Sequence, residues 1–324
     1  MAIPLLSKPA NKQSIVMSTN ISALALSVNG LNKSYGSFEV LKNLDLELKQ
    51  GSILGLVGLN GSGKTTTIEC ILGLQEANSG SVSILNHTPS KLHETGGKIV
   101  SIFDTPSLHP NLTVRQSLEH AELLSENLVR TPQQVEELLG IEKYSTFKIK
   151  NLSLGNKRRA SLAQALVGNP ELIILDEPFN GLDAEGVDDV LALIQRLNKD
   201  NGTTFLLSSH QLPYLESICS HIAILHQGKI LVNDNIDDLL ANTNHSILLK
   251  TETEATAIKF LEAQNDITII NKNSDGYLEL STKDVRSSDL TRQLVENQIA
   301  VSELVLKQAS LGNLFRAITS EESA

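Results

Sequence analysis

Gly58-Leu59-Asn60-Gly61-Ser62-Gly63-Lys64-Thr65 matches the P-loop pattern at every constrained position, and its flanks match as well. Before it, Ser52-Ile53-Leu54-Gly55-Leu56-Val57 is an apolar run of the kind that forms a buried parallel strand. After it, Ile68, Ile71 and Leu72 recur at helical spacing until Gly73 offers a stop. A strand, a glycine-rich turn and a helix N-terminus make an anion site, because unpaired backbone N–H groups and the positive end of the helix dipole converge on one place. The site fits a triphosphate: Gly58, Leu59, Asn60, Gly61, Ser62, Gly63, Lys64, Thr65 and Thr66 are the candidate phosphate-binding residues. Lys64 reaches the outer phosphates, and the Thr65 hydroxyl holds Mg²⁺.

Further along, Leu172-Ile173-Ile174-Leu175-Asp176-Glu177-Pro178 is an apolar strand ending in two carboxylates. Ligands of a parallel sheet gather outside the carboxyl ends of its strands, which is where this pair falls. Asp176 binds Mg²⁺, directly or through water, and Glu177 orients or deprotonates the attacking water. Between the two segments, Asn151-Leu152-Ser153-Leu154-Gly155-Asn156 opens a helix with apolar spacing at Leu162, Ala163, Ala165 and Leu166. A serine and a glycine at a helix start supply a hydroxyl and free N–H groups, a second anion site in the same domain.

P-loop, Ser153-Leu154-Gly155 and the acidic strand, in this order, resemble the nucleotide-binding subunits of ABC transporters over roughly residues 23 to 235. The resemblance implies an ATPase domain with a helical subdomain, in which Ser153 and Gly155 close over ATP held by the P-loop of a second subunit. It also implies that Tyr35 stacks on adenine, that Gly181-Leu182-Asp183 touches the other subunit, and that His210 contacts the γ-phosphate as a catalytic residue beside Glu177. ATP and Mg²⁺ are the cofactors implied. The implied partners are an integral-membrane permease and a second ATPase subunit, in a homodimer with two active sites or a heterodimer, on the cytoplasmic face of the membrane.

Two departures refine this. The loop Phe103-Asp104-Thr105-Pro106 has an acid where the family usually has glutamine. A carboxylate only accepts hydrogen bonds, so Asp104 favours a metal contact, though its shorter side chain needs a bridging water. Leu154 stands where the family has glycine, which argues that this position does not need a left-handed backbone. Both features resemble the subgroup that exports bacitracin, lantibiotics and related antibiotics, which points to an ABC-2 type permease. Lys157 and Arg158 read as a solvated helix face.

Composition sets the remaining bounds. The chain of 324 residues has room for about two domains. No run approaches the roughly 18 apolar residues of a membrane helix, so a membrane role would be exercised from the surface. A net charge of −10 argues against nucleic-acid partners. It disfavours the competing reading, a soluble ABC-type mechanoenzyme acting on DNA or the ribosome, which the single P-loop also disfavours. Cys70 and Cys219 are too few for a disulfide framework. Residues 1–22 read as a disordered leader, with Met17 an alternative start, and 23–240 as the ATPase domain. In 241–324, strands near 247–249, 267–270, 277–280 and 301–305 alternate with helices at 255–263 and 288–297. This is the βαββαβ order of a ferredoxin-like α+β domain, and Leu311, Leu314 and Phe315 mark a final short helix.

Overall fold

The computed structural model describes residues 23–105, 107–125, 128–241, 246–264, 266–282, 286–307 and 310–321. The expected leader, Met17 and Pro106 lie outside them. A central sheet of six strands runs in the order β5 (Ile99–Ile102), β6 (Leu172–Asp176), β7 (Thr204–Ser209), β3 (Ile53–Val57), β8 (His221–His226), β9 (Lys229–Asn235). All neighbours are parallel except β9, which closes the edge antiparallel to β8. Alternation along each strand feeds two cores. Ile53, Val57, Ile173, Leu175, Phe205 and Leu207 face one, while Leu54, Leu56, Leu172, Ile174 and Leu206 face the other. Strands buried on both faces explain why the sequence shows continuous apolar runs here.

One face is covered by a three-stranded antiparallel sheet, β2 (Phe38–Lys49), β1 (Leu24–Tyr35) and β4 (Ser79–Ile84), together with α1 (Lys64–Ile71). The β1–β2 hairpin turns at Gly36-Ser37 and pairs Tyr35 with Phe38. It lies against the P-loop: a Cβ on Gly63 would sit 2.9 Å from Leu41 Cδ2 and 3.3 Å from the Val40 carbonyl oxygen. The other face is helical. A subdomain of α2 (Val114–Leu124), α3 (Pro132–Leu138) and α4 (Leu154–Leu166) packs beside α5 (Ala184–Asn201) and α6 (Leu212–Ile218). Thr113 and Gln116 form a capping box at the start of α2, and Val114, Leu118 and Ala121 are buried. Arg115 and Glu136 form a forked ion pair between α2 and α3, with Glu136 buried. This pairing raises the Arg115 pKa.

After α7 (Ile236–Ala241) come β10 (Ser246–Thr251), α8 (Glu254–Glu262), β11 (Ile267–Lys272), β12 (Leu278–Thr282), α9 (Ser287–Glu296) and β13 (Val301–Lys307). The sheet order β11-β12-β10-β13 is antiparallel throughout, and its core, including Ile247, Leu280 and Leu290, is separate from the other two. The expected ferredoxin-like arrangement is thus present. The final helix, α10 (Leu311–Glu321), leaves this sheet and returns to the helical face of the six-stranded one. Leu311 and Phe315 join the helical-face core, and the Leu311 N–H donates to Glu216 Oε2 on α6 at 3.0 Å. Among the described residues no helix is long and apolar enough to cross a membrane.

Candidate active site

β3, β7 and β6 are consecutive in the sheet, so their carboxyl ends deliver the P-loop, His210 and the acidic pair to one edge. Lys64 is buried at the first turn of α1. Its ammonium donates to the Gly58 carbonyl oxygen at 2.8 Å and lies 3.1 Å from Glu177 Oε1. Glu177 Oε2 is 3.0 Å from His210 Nδ1 and accepts from Ser209 Oγ at 3.3 Å. Asp176 sits one residue earlier: Thr65 Oγ1 donates to Asp176 Oδ2 at 2.9 Å, and the Ser208 hydroxyl donates to Asp176 Oδ1. Five of the residues singled out in the sequence, Lys64, Thr65, Asp176, Glu177 and His210, thereby form one connected cluster.

The backbone is shaped for this. Glu177 has φ 48°, a left-handed conformation that costs a non-glycine residue about 1–3 kcal/mol. It is held there by its N–H, which donates to the Ser208 carbonyl at 3.0 Å, and the turn aims the carboxylate back at the P-loop. Gly58 is required for a different reason: a Cβ there would lie 2.6 Å from the Leu225 carbonyl oxygen of β8 and would overlap Ser62 Oγ. Leu59, Asn60, Gly61 and Thr65 are exposed along the loop, Thr66 is half-buried, and Ser62 and Gly63 are buried. Tyr35 ends β1 about half exposed, with Lys33 Nζ 4.9 Å from its ring centre. That ring face is suited to stacking.

Ser153 does not join this cluster. It is the N-cap of α4, exposed, and its Oγ accepts from the Asn156 N–H at 3.3 Å. Leu154 begins the helix and is absent from the positive-φ residues, as its side chain required. It fills the space over Gly181, and a Cβ on Gly155 would touch Leu182 at 3.4 Å. The signature segment, Ser153-Leu154-Gly155, therefore packs on the Gly181-Leu182-Asp183 loop of its own chain, and among the described residues Ser153 makes no hydrogen bond to its own P-loop cluster.

The solvated-face reading of Arg158 is corrected by the structure. Arg158 is 2% exposed, and its Nη2 donates to the Asp104 carbonyl oxygen at 2.9 Å and to Asp104 Oδ1 at 3.3 Å. Burial lowers its pKa, against the opposing pull of Asp104 first and of Asp176 and Glu177 after it. Continuing the apolar stripe of Leu162 and Leu166 one turn toward the N-terminus lands on Arg158, so the signal was present in the helical period. Asn180 and Gln211 were also missed: Asn180 Nδ2 donates to Asp104 Oδ1 at 3.2 Å, and Gln211 Nε2 donates to Asn180 Oδ1 at 3.1 Å. Asp104 is half exposed and its Oδ1 is engaged by Arg158 and Asn180, without a direct bond to Asp176 or Thr65. Among the described residues no group of three or more His, Cys, Asp or Glu side chains forms a metal cage. A hydroxyl and one carboxylate, Thr65 and Asp176, instead fit Mg²⁺, which takes most of its oxygen ligands from phosphate and water. Both cysteines are buried and burial pushes their pKa values up, consistent with packing roles.

A P-loop whose lysine meets a strand-end glutamate and histidine, on a mostly parallel sheet carrying a helical subdomain, defines an ATP-binding and ATP-hydrolysing cassette. Residues 41–180 match the ABC transporter family. The chain is 33% identical over 287 residues to the bacitracin transport ATP-binding protein BcrA of Bacillus licheniformis, covering 88% of this chain and 94% of that one. A solved ATP-binding subunit of an ABC transporter superposes with TM-score 0.61 at 29% identity, covering 67% of this chain and 92% of that one. A dimeric post-hydrolysis state of an ATP-binding cassette bound to ADP and Pi superposes with TM-score 0.58 at 25% identity, covering 65% and 98%. The chain belongs to the ATP-binding proteins of ABC transporters. None of these relatives supports the DNA or ribosome alternative.

Proposed function

We propose that this chain works as a homodimer on the inner face of the cell membrane, where ATP hydrolysis drives an ABC-2 type exporter permease whose cargo is an antibiotic peptide, drug or lipid. The observation that supports it most is the division of the site: Lys64, Glu177 and His210 are joined, while Ser153 stands apart on a different element with its helix N-terminus exposed. A second copy supplies Ser153 and Gly155 to the triphosphate on this copy's P-loop. The base stacks on Tyr35, Lys64 and the N–H groups of residues 58 to 66 hold the phosphates, and His210 contacts the γ-phosphate. Thr65 and Asp176, with Asp104 through a bridging water, would hold Mg²⁺, which would supply positive charge against the phosphates. Glu177 takes the proton of the attacking water. Closing on ATP and opening after hydrolysis is the work delivered to the permease.

The division into an ATPase domain at 23–240 and an accessory domain at 241–324 belongs to the same reading, with α10 tying the second back to α6. The bacitracin-transport relative supports the exporter assignment. Glu177→Gln should trap an ATP-bound dimer that co-fractionates with membranes when the permease is co-expressed. A wholly soluble, ribosome-bound or DNA-bound protein would contradict this reading.

A further inference from the structure

Arg158 is the largest buried polar side chain of the described residues, and its hydrogen bonds go to Asp104 and to none of the phosphate-binding residues. Its Nε and Nη1 have no hydrogen-bond partner among the described residues. A guanidinium in such a place is costly unless its one carboxylate contact matters. That contact is Asp104, whose Oδ1 also accepts from Asn180 Nδ2 at 3.2 Å. The Asn180 amide is used at both ends, because its Oδ1 accepts from Gln211 Nε2 at 3.1 Å. Gln211 then donates its backbone N–H to Ser209 Oγ at 3.0 Å, and Ser209 Oγ donates to Glu177 Oε2 at 3.3 Å. Asp104 only accepts, Asn180 accepts through Oδ1 and donates through Nδ2, Gln211 only donates, and the Ser209 hydroxyl accepts once and donates once, so the chain of bonds is internally consistent.

The path crosses four segments that only the fold brings together: α4, the loop after β5, the loop after β6 and the turn after β7. Its first residue lies just over a turn into the helix capped by Ser153, and its last is the catalytic carboxylate. We propose that Arg158 is a positioning residue for ATP hydrolysis, holding Asp104 as the first link of a hydrogen-bond chain through Asn180, Gln211 and Ser209 that sets where Glu177 points. Asp104 is then a structural acceptor between α4 and the sheet, and a shift of the signature helix against the sheet is felt at Glu177. The inference rests on Glu177 as the catalytic base.

The test is steady-state MgATP hydrolysis by the full chain, with nucleotide affinity and melting temperature measured beside it. Arg158→Gln should lower kcat about ten- to a hundredfold, the loss expected from slight misplacement of a reacting group, and leave KM and ATP affinity within about twofold. Arg158→Lys, which keeps the charge, should recover most of that loss. Asp104→Ala should match Arg158→Gln, and the double variant should be no slower than the slower single one. Should Arg158→Gln fail to fold, Asn180→Ala cuts the chain in its middle without touching a buried charge and should show the same fall in kcat at unchanged KM. Unchanged kcat in either folded variant, a loss carried by KM, or multiplicative losses in the double variant would overturn the proposal. Glu177→Gln separates the two ideas. If it abolishes turnover while Arg158→Gln leaves kcat unchanged, the chain of bonds is refuted and the base survives; if Glu177→Gln keeps turnover, the base itself is refuted.

Discussion

Glu177→Gln should do more than slow chemistry, because among the described residues this carboxylate is the only acidic side chain paired with a buried lysine. Lys64 Nζ lies 3.1 Å from Glu177 Oε1 with both side chains about nine-tenths buried. At an effective dielectric near 20, that separation corresponds to a Coulomb attraction of about 5 kcal/mol before desolvation is subtracted. The glutamine oxygen still accepts from the ammonium, and the Gly58 carbonyl contact at 2.8 Å is untouched. What is lost is the charge-assisted part of one hydrogen bond, about 1–3 kcal/mol. In a domain of this size each kcal/mol is worth roughly 2–4 °C, so the variant should melt about 2–12 °C below the parent without nucleotide. A bound triphosphate restores negative charge beside Lys64, so a saturating non-hydrolysable ATP analogue should close most of the gap. Thermal unfolding of the full chain with and without the analogue measures both numbers. An unchanged melting temperature without nucleotide, or a gap that persists with it, would refute the pairing of Lys64 with Glu177.

Gly58→Ala should cost about 1–3 kcal/mol of overpacking, seen in urea unfolding, and weaken ATP binding in calorimetry. Adding Ser62→Ala should not rescue it, because the Leu225 carbonyl oxygen at 2.6 Å remains. Asp104→Gln should leave ATP affinity intact while lowering the melting temperature and the coupling of hydrolysis to transport, since Arg158 loses its carboxylate. Burial, with Lys49 assisting, lowers the His221 pKa below its ordinary 6.5. The unfolded chain therefore binds this proton more tightly. Stability from this group should be level above pH 6.5 and fall as pH drops from 6.5 toward the folded value, and His221→Gln should remove that step in urea midpoints.

Much of the site was readable because its parts are contiguous. The P-loop carries strand, turn and helix in one stretch, and the acidic pair follows its own strand directly. The βαββαβ order of the C-terminal segment was readable as two helices between four strand-like runs. What escaped depends on where separate segments meet. Arg158 looked solvated beside Lys157 and Arg159; the helical period placed it on the buried stripe, but its partner, the loop carrying Asp104, comes from a distant segment. Asn180 and Gln211 carry no pattern of their own; they matter because β6 and β7 are neighbours. The return of α10 to α6 rests on Glu216 and a few apolar contacts far from it in sequence.

In the proposed homodimer each active site is built from two copies of this chain. Lys64→Ala removes the phosphate-binding lysine but leaves the signature, and Ser153→Glu blocks the signature but leaves the P-loop. Each variant alone should be inactive. Mixed in equal amounts and allowed to exchange, half of the dimers pair one of each and hold one intact site, so turnover should return to about a quarter of the parent value. A mixture as inactive as its components would contradict the shared site.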